Sequence, residues 1–147
     1  MRVAQFFALI LTALALVPVG AHLAALPNKI AMNEPSYFIA QRIYDGWAWF
    51  GIVLIGAILA EAAATIAART QFWPFTLAAL ATLLMLGTLA IFFAFTFPAN
   101  QATANWTTVP DDWQYLRRQW ELSHAVNAAI TFAAFCSLTL SVLLSRR

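Results

Sequence analysis

Four long apolar segments dominate the sequence and limit what the chain can fold into. They span approximately residues 3–26, 47–68, 75–97 and 124–144, and the helix that contains the fourth is expected to begin near residue 120. Each has about the 20 residues that a helix needs to cross a hydrocarbon layer of about 30 Å. Because lipid offers no partner for backbone N–H and C=O groups, each segment is expected to form a helix. The sequence therefore predicts an all-α fold: an integral membrane four-helix bundle, forming one transmembrane domain over residues 1–147.

The composition supports lipid as the surrounding solvent. Of the 147 residues, 63% are hydrophobic and 10% are charged, whereas a soluble domain has about 25% charged residues. A soluble domain of this size cannot bury so much apolar surface, so the expected partner is the lipid bilayer. The net charge of +2 and the scattered basic residues argue against a nucleic-acid-binding protein. The single Cys136 excludes an internal disulfide, and the sequence leaves a homo-oligomer open.

The first apolar segment has an alternative interpretation as a cleaved signal peptide, because Arg2 precedes it. A signal peptide has an apolar core of about 7–15 residues. The segment here continues well beyond that length, so we expect a retained membrane helix.

The polar residues between the segments predict the topology. Two long polar segments, 27–46 and 98–123, alternate with a short linker at 69–74. With four crossings, both long segments lie on one side of the membrane and both termini on the other. Lys and Arg do not decide the orientation, since four lie on each side. We expect a multi-pass membrane protein with cytoplasmic termini, because the short linker and the two tails look like plain anchors.

Tryptophans are concentrated in the second long polar segment, which contains Trp106, Trp113 and Trp120. Tryptophan at a helix end normally anchors the helix at the membrane interface. Three in one polar segment exceed what anchoring needs. We therefore expect them, together with Tyr44 of the first long segment, to contact a bound lipophilic small molecule.

A helix that continues from the second long segment into the fourth apolar segment would have a polar face. Arg117, Glu121 and His124 fall at positions i, i+4 and i+7 and share one side of such a helix. One interpretation is a surface ion pair between Arg117 and Glu121, with His124 at the membrane interface. The other is a site in which Glu121 and His124 act together.

His22 strengthens the second interpretation. It lies near the end of the first apolar segment, so the topology places it at the same membrane face as His124. Two histidines and Glu121 at one level could bind a metal, relay a proton, or serve as acid and base. The Glu-x-x-His spacing occurs in carboxylate-bridged two-metal bundles, but it occurs here only once. Two alternatives therefore stay open for the cofactor: the protein has none, or it has a single metal ion bound by His22, Glu121 and His124.

Glu61 lies within the second apolar segment, far from the histidines. A charged side chain at the centre of a membrane helix costs about 2.5–3.5 kcal/mol on insertion scales. It is either a proton or cation site or a carboxyl hydrogen-bonded to a neighbouring helix, and we favour the second.

The long polar segments resemble those of a known group of proteins. The first carries Ala21-His22-Leu23, then Leu26-Pro27-Asn28-Lys29 and Gly46-Trp47; the second carries Asn100, Trp106, Leu116-Arg117 and Trp120-Glu121-x-x-His124. Over essentially the whole chain, these patterns resemble small bacterial membrane proteins of unknown function related to the anthrone oxygenase family. The resemblance implies a four-helix membrane fold and oxygenase-type chemistry on an aromatic or quinol-like molecule. Its motif positions here are Asn100, Arg117, Trp120, Glu121 and His124.

Two hypotheses for function follow. In the first, the protein is an oxygenase-like oxidoreductase, in which His124 is the general base and Arg117 and Asn100 hold an oxyanion or phenolate. In the second, it binds a lipid or a quinone, or serves as an accessory subunit of a membrane complex, without catalysis. A transporter ranks last because Glu61 alone provides a charged side chain in the opposite half of the bundle.

Overall fold

The described part of the chain is predominantly helical. A computed structural model describes residues 2–146, and no strand occurs among them. Arg147, counted above with the basic residues, lies outside the described residues. The elements are α1 (Arg2–Lys29), α2 (Glu34–Gln41), 3₁₀ turns at Arg42–Tyr44 and Trp47–Trp49, α3 (Phe50–Ala67), α4 (Phe72–Ile91), a π-helical turn (Phe92–Thr96), α5 (Phe97–Ala102) and α6 (Trp113–Leu144).

Four helical spans are long and apolar enough to cross a membrane. They are Arg2–Lys29, Trp47–Ala67, Phe72–Ala102 and Trp113–Leu144. In the third span, α4, the π-helical turn and α5 follow one another without a break. The predicted all-α four-helix membrane bundle is thus confirmed.

The four long helices form a closed ring in which α1 packs on α3, α3 on α4, α4 on α6, and α6 back on α1. Small side chains line much of the interior, where they let the backbones approach closely. The buried core consists of Ala8, Ala15, Ala57, Ile58, Ala64, Ala81, Met85, Ala134 and Leu138. Large apolar side chains cover the outside instead; Leu59, for example, is 66% exposed. This inverted arrangement is what a surface facing lipid requires.

Hydrogen bonds between side chains and backbone join α6 to α4. Ser137 donates to the carbonyl of Leu77 at 2.8 Å, and Ser141 donates to that of Pro74 at 2.6 Å. Asn127 donates to the carbonyl of Thr88 at 3.2 Å. Such bonds between membrane helices contribute about 0.6 kcal/mol each on average. They fix the register of α6 and therefore the depth of the side chains near its start.

Glu61 is fully buried between α3 and α1. The Oγ1 atom of Thr12 lies 2.7 Å from Glu61 Oε1 and 2.8 Å from the carbonyl of Ala8. A hydroxyl has a single hydrogen. If Thr12 donates it to Ala8, Glu61 must donate in turn, which a carboxylic acid can do and a carboxylate cannot. The prediction of a carboxyl hydrogen-bonded to a neighbouring helix is confirmed.

The helices extend beyond the apolar segments that predicted them. α1 ends at Lys29 rather than near residue 26, the third span covers 72–102 rather than 75–97, and α6 begins at Trp113 rather than near residue 120. Hydropathy detects only the part of a helix that lies in lipid, whereas backbone hydrogen bonding continues into the headgroup layer. The first long polar segment also differs from a plain loop, because the end of α1, α2 and the 3₁₀ turn at Arg42–Tyr44 occupy most of it.

Candidate functional site

Two histidines meet at the loop side of the bundle. His22 on α1 and His124 on α6 have ring centroids 4.1 Å apart with an interplanar angle of 31°. The prediction that both histidines lie at the same end of the bundle is confirmed, and the structure adds that α1 and α6 are neighbours. The Nδ1 atoms of both rings are buried, and neither has a hydrogen-bond partner within residues 2–146. Since buried polar atoms are nearly always paired, this is a place where a hydroxyl of a ligand or a water would be stabilised.

Aromatic rings surround the histidine pair. The ring of His22 lies 4.2 Å from that of Tyr44, 5.6 Å from Trp47 and 4.8 Å from Trp120, measured between centroids. Trp120 also contacts His124 at 4.2 Å. His22 and Trp120 are buried, whereas Tyr44, Trp47 and His124 remain partly exposed. The pair can therefore be approached between these three side chains.

A buried ion pair lies beside the histidines. Lys29 Nζ is 2.7 Å from Glu121 Oε1, and the two side chains are 4% and 0% exposed. The ammonium group lies 4.5 Å from the Tyr44 ring centroid and 4.7 Å from that of Trp120. These are two of the rings that contact His22. The sequence analysis missed Lys29 as a site residue, although a residue seven positions after His22 falls on the same helix face.

Two further side chains complete the surroundings of Glu121. The hydroxyl of Tyr37 donates to Glu121 Oε1 at 2.9 Å, and Gln41 Nε2 donates to the Tyr37 oxygen at 2.9 Å. Burial, and then the nearby Glu121 carboxylate, raise the pKa of Tyr37 above its ordinary value. The same two causes raise the pKa of Tyr44. Tyr37 therefore stays a hydrogen-bond donor at neutral pH and helps to hold Glu121 against Lys29.

Arg117 does not pair with Glu121. It donates to the carbonyl of Met32 at 2.6 Å, and its guanidinium lies 4.8 Å from the ring of Trp113 and 5.4 Å from that of Tyr37. The interpretation as an Arg117–Glu121 ion pair is wrong, because α1 extends far enough to bring Lys29 to the carboxylate first. Arg117 instead fastens the connection between α1 and α2 to the start of α6.

Asn100 orients two tryptophans. Its Oδ1 atom accepts hydrogen bonds from the indole nitrogens of Trp106 at 3.2 Å and Trp120 at 2.8 Å. Trp106 packs edge-on against Trp120 with centroids 5.8 Å apart. Asn100 thus acts through the indoles, and no hydrogen bond within the described residues links it to either histidine.

An unusual turn returns the chain from α5 to this cluster. Ala104, Asn105 and Trp106 all have positive φ angles, of 48°, 55° and 64°, which is uncommon for residues other than glycine. Two hydrogen bonds stabilise the turn. The backbone N–H of Trp106 donates to Thr103 Oγ1 at 3.1 Å, and the backbone N–H of Asn105 donates to the carbonyl of Asn100 at 2.7 Å. It places the Trp106 side chain inside the protein, 6% exposed.

The structure therefore brings together part of the predicted site. His22, His124, Tyr44 and Trp120 are in direct contact, and Glu121 joins them through Lys29. Trp113 lies further out, 6.2 Å from Tyr37 between ring centroids. No group of three or more His, Cys, Asp or Glu side chains in the described chain is arranged to hold a metal ion. The predicted ligand set of His22, Glu121 and His124 is thus not assembled, because Glu121 is turned to Lys29.

Comparison with known proteins adds no relative: no protein-family model, curated protein or solved structure matches the chain. The resemblance to anthrone oxygenases consequently stays a prediction.

Proposed function

We propose that the protein binds a lipophilic phenol or quinol-like molecule at the histidine pair and promotes its oxidation by dioxygen. The observation that carries the proposal is the contact between the two tilted imidazole rings. Their buried Nδ1 atoms have no hydrogen-bond partner among residues 2–146, and aromatic rings surround them. A neutral imidazole can accept a proton, and aromatic faces suit a planar ligand that arrives from the bilayer. The resemblance to anthrone oxygenases points to the same chemistry.

The proposed reaction balances without a cofactor. With an anthrone, His124 takes a proton from the acidic CH₂ carbon, and the resulting carbanion is the same species as the phenolate of the tautomer. Dioxygen adds to that carbon, and the peroxide formed takes up a proton. Loss of water then leaves a new C=O bond. The carbon is oxidised by four electrons; one oxygen atom stays in the quinone and the other leaves as water.

The structure changes the proposed holder of the anion. The sequence suggested Arg117 and Asn100, but these bond to Met32 and to two indoles. Lys29 is the cation that shares the rings of Tyr44 and Trp120 with His22. In our proposal its field stabilises the developing negative charge, a use of fixed charge that commonly provides the largest catalytic effect. His22 positions the imidazole of His124 by stacking against it.

The first test measures oxygen consumption by the protein in lipid nanodiscs supplied with anthrone. We expect oxidation faster than in protein-free nanodiscs, and His124→Ala should lower that excess rate by about 10²–10⁴-fold, the range for loss of a general base. Leu140→Ala, on the exposed side of α6, is the matched control and should retain the full rate. Circular dichroism establishes that each variant folds. An unchanged rate in His124→Ala would remove His124 from the mechanism.

Binding without turnover is the second candidate, and the three aromatic rings within 6 Å of His22 favour it. In that case 2-methyl-1,4-naphthoquinone should quench tryptophan fluorescence saturably, and His22→Ala should abolish the saturation while anthrone is not oxidised. If neither turnover nor saturable quenching occurs, both forms of the proposal fail.

We also propose a bacterial inner membrane with both termini in the cytoplasm. Because Lys29 is buried against Glu121, it no longer counts among the exposed basic residues of the loop side. Two arginines of that side are exposed, Arg42 and Arg118, because Arg117 is half-buried and bonded to Met32. Among the described residues, the terminal side has three exposed arginines, Arg2, Arg69 and Arg146. The excess of basic residues favours the cytoplasm for the terminal side. Alkaline phosphatase fused to the C-terminus should be inactive and a fluorescent protein should glow; active phosphatase would reverse the orientation.

A further inference from the structure

A groove runs down the outer face of the bundle, between α6 and the π-helical turn of the third span. Its volume is about 580 Å³. It lies on the side of α6 opposite the histidine pair, because residues 115, 118, 122 and 126 point away from His124 on a helix with 3.6 residues per turn. The groove is therefore separate from the site described above.

Away from its loop-side end, the groove has apolar walls. Ile91 and Phe95 line one side, and Leu122 and Val126 line the other. Leu122 and Val126 are 54% and 48% exposed, so the groove opens toward lipid. From Arg118 at its polar end to Val126 it extends about 12 Å along the helix, within a leaflet whose hydrocarbon layer is about 15 Å deep. The apolar walls therefore suit the part of an acyl chain that lies next to a headgroup at Arg118.

The loop-side end of the groove is positively charged. Arg118 lines it there, is exposed, and has no hydrogen bond or ion pair within residues 2–146. No acidic residue lines the groove. A guanidinium binds two phosphate oxygens at once, in one plane. Because no carboxylate lines the groove, nothing there would pair with the positively charged group of a zwitterionic lipid.

The π-helical turn forms one wall of the groove, and hydrogen bonds connect it to α6, which forms the other. The π-helical turn covers Phe92–Thr96, and the side chain of Gln119 donates to the carbonyl of Phe95 at 2.8 Å. Ser123 and Thr96 share a further hydrogen bond at 2.8 Å. Single π-helical turns are found frequently at functional sites. These bonds hold the walls at a fixed separation, so the groove is a built feature of the fold.

We infer that this groove binds an anionic phospholipid, with one acyl chain between the walls and its phosphate at Arg118. The charge at the rim and the apolar length below it together select this occupant over a zwitterionic lipid. The inference does not depend on the proposed chemistry at the histidine pair.

The test is lipid retention measured by native mass spectrometry. Purified protein is incubated with equal amounts of phosphatidylglycerol and phosphatidylcholine that have identical acyl chains. Wild type should retain phosphatidylglycerol preferentially, and Arg118→Gln should lower that retention by about fivefold, the effect of one basic residue at a membrane surface. Arg42→Gln, an exposed arginine on the same side, is the matched control and should change it little. Equal retention of the two lipids by wild type, or an equal loss in both variants, would overturn the inference.

A second variant tests the chain-binding part independently of charge. Val126→Trp should fill the groove and reduce retention of both lipids, whereas Leu59→Trp, on the exposed surface of α3, should not. Full lipid retention in Val126→Trp would show that the acyl chain lies elsewhere and would overturn the inference.

Discussion

Replacing Lys29 with methionine is expected to lower the free energy of unfolding by about 3–5 kcal/mol, because Glu121 would remain buried without a partner for its charge. The two side chains are 4% and 0% exposed and lie 2.7 Å apart. Methionine keeps the length and the apolar contacts of the lysine stem, so the change removes mainly the ammonium group. The measurement is equilibrium unfolding in dodecylmaltoside micelles with an increasing mole fraction of dodecylsulfate, followed by circular dichroism.

The double variant Lys29→Met with Glu121→Gln is the control for this result. Replacing both members of a buried ion pair is commonly neutral or stabilising, and the glutamine carbonyl can still accept the hydrogen bond of Tyr37. We therefore expect the double variant to recover most of the lost stability. If the single variant costs less than about 1 kcal/mol, or the double variant is as unstable as the single one, the pair is not desolvated as described.

Replacing Trp120 with alanine is expected to cost about 3–5 kcal/mol, the usual range for removing a large buried side chain. The ring contacts His22, His124 and Tyr44, and its indole N–H is bonded to Asn100. Its removal leaves a cavity at the junction of α1 and α6 and removes one of the two hydrogen bonds that Asn100 Oδ1 accepts. The same unfolding measurement reports the effect.

Trp49→Ala provides the comparison for the loss of a tryptophan as such. Trp49 is 74% exposed, and substitutions at such sites usually change stability by no more than about 0.5 kcal/mol. Trp120→Phe should have a smaller effect than Trp120→Ala, since it keeps part of the ring packing while losing the bond to Asn100. Comparable losses in Trp120→Ala and Trp49→Ala would contradict the central position of the Trp120 ring.

The relative position of the two histidines could be predicted in part from the number of membrane crossings. His22 and His124 are 102 residues apart, yet counting four crossings placed them at the same face and depth. That argument needs only the lengths of the apolar segments. It gives no information about which helices are neighbours, and the contact between α1 and α6 follows from the packing of small side chains around the whole ring.

The ion-pair partner of Glu121, by contrast, could not be predicted from the sequence. The expected partner was Arg117, which lies one turn earlier on the same helix. Lys29 follows Pro27 and Asn28 and was expected in a loop, where it would be solvated. In the structure α1 continues to Lys29, since proline in its last turn removes only one backbone hydrogen bond. Glu121 pairs with Lys29 because the packing of α1 against α6 brings the ammonium group within 2.7 Å of the carboxylate. The spacing of residues along α6 gives no information about that distance.

The sequence by itself determined the number of long apolar spans, the helical nature of each span and that both histidines lie at the same end of the bundle. These follow from the length of each apolar run and from the requirement that backbone groups in lipid be paired within their own helix. Tertiary structure alone decided that Lys29 meets Glu121, that Asn100 orients two indoles, and that a groove lined by Arg118 opens on the outer face of the bundle. Each of these depends on how the helices are rotated and offset against one another, which is fixed by packing between residues distant in the chain.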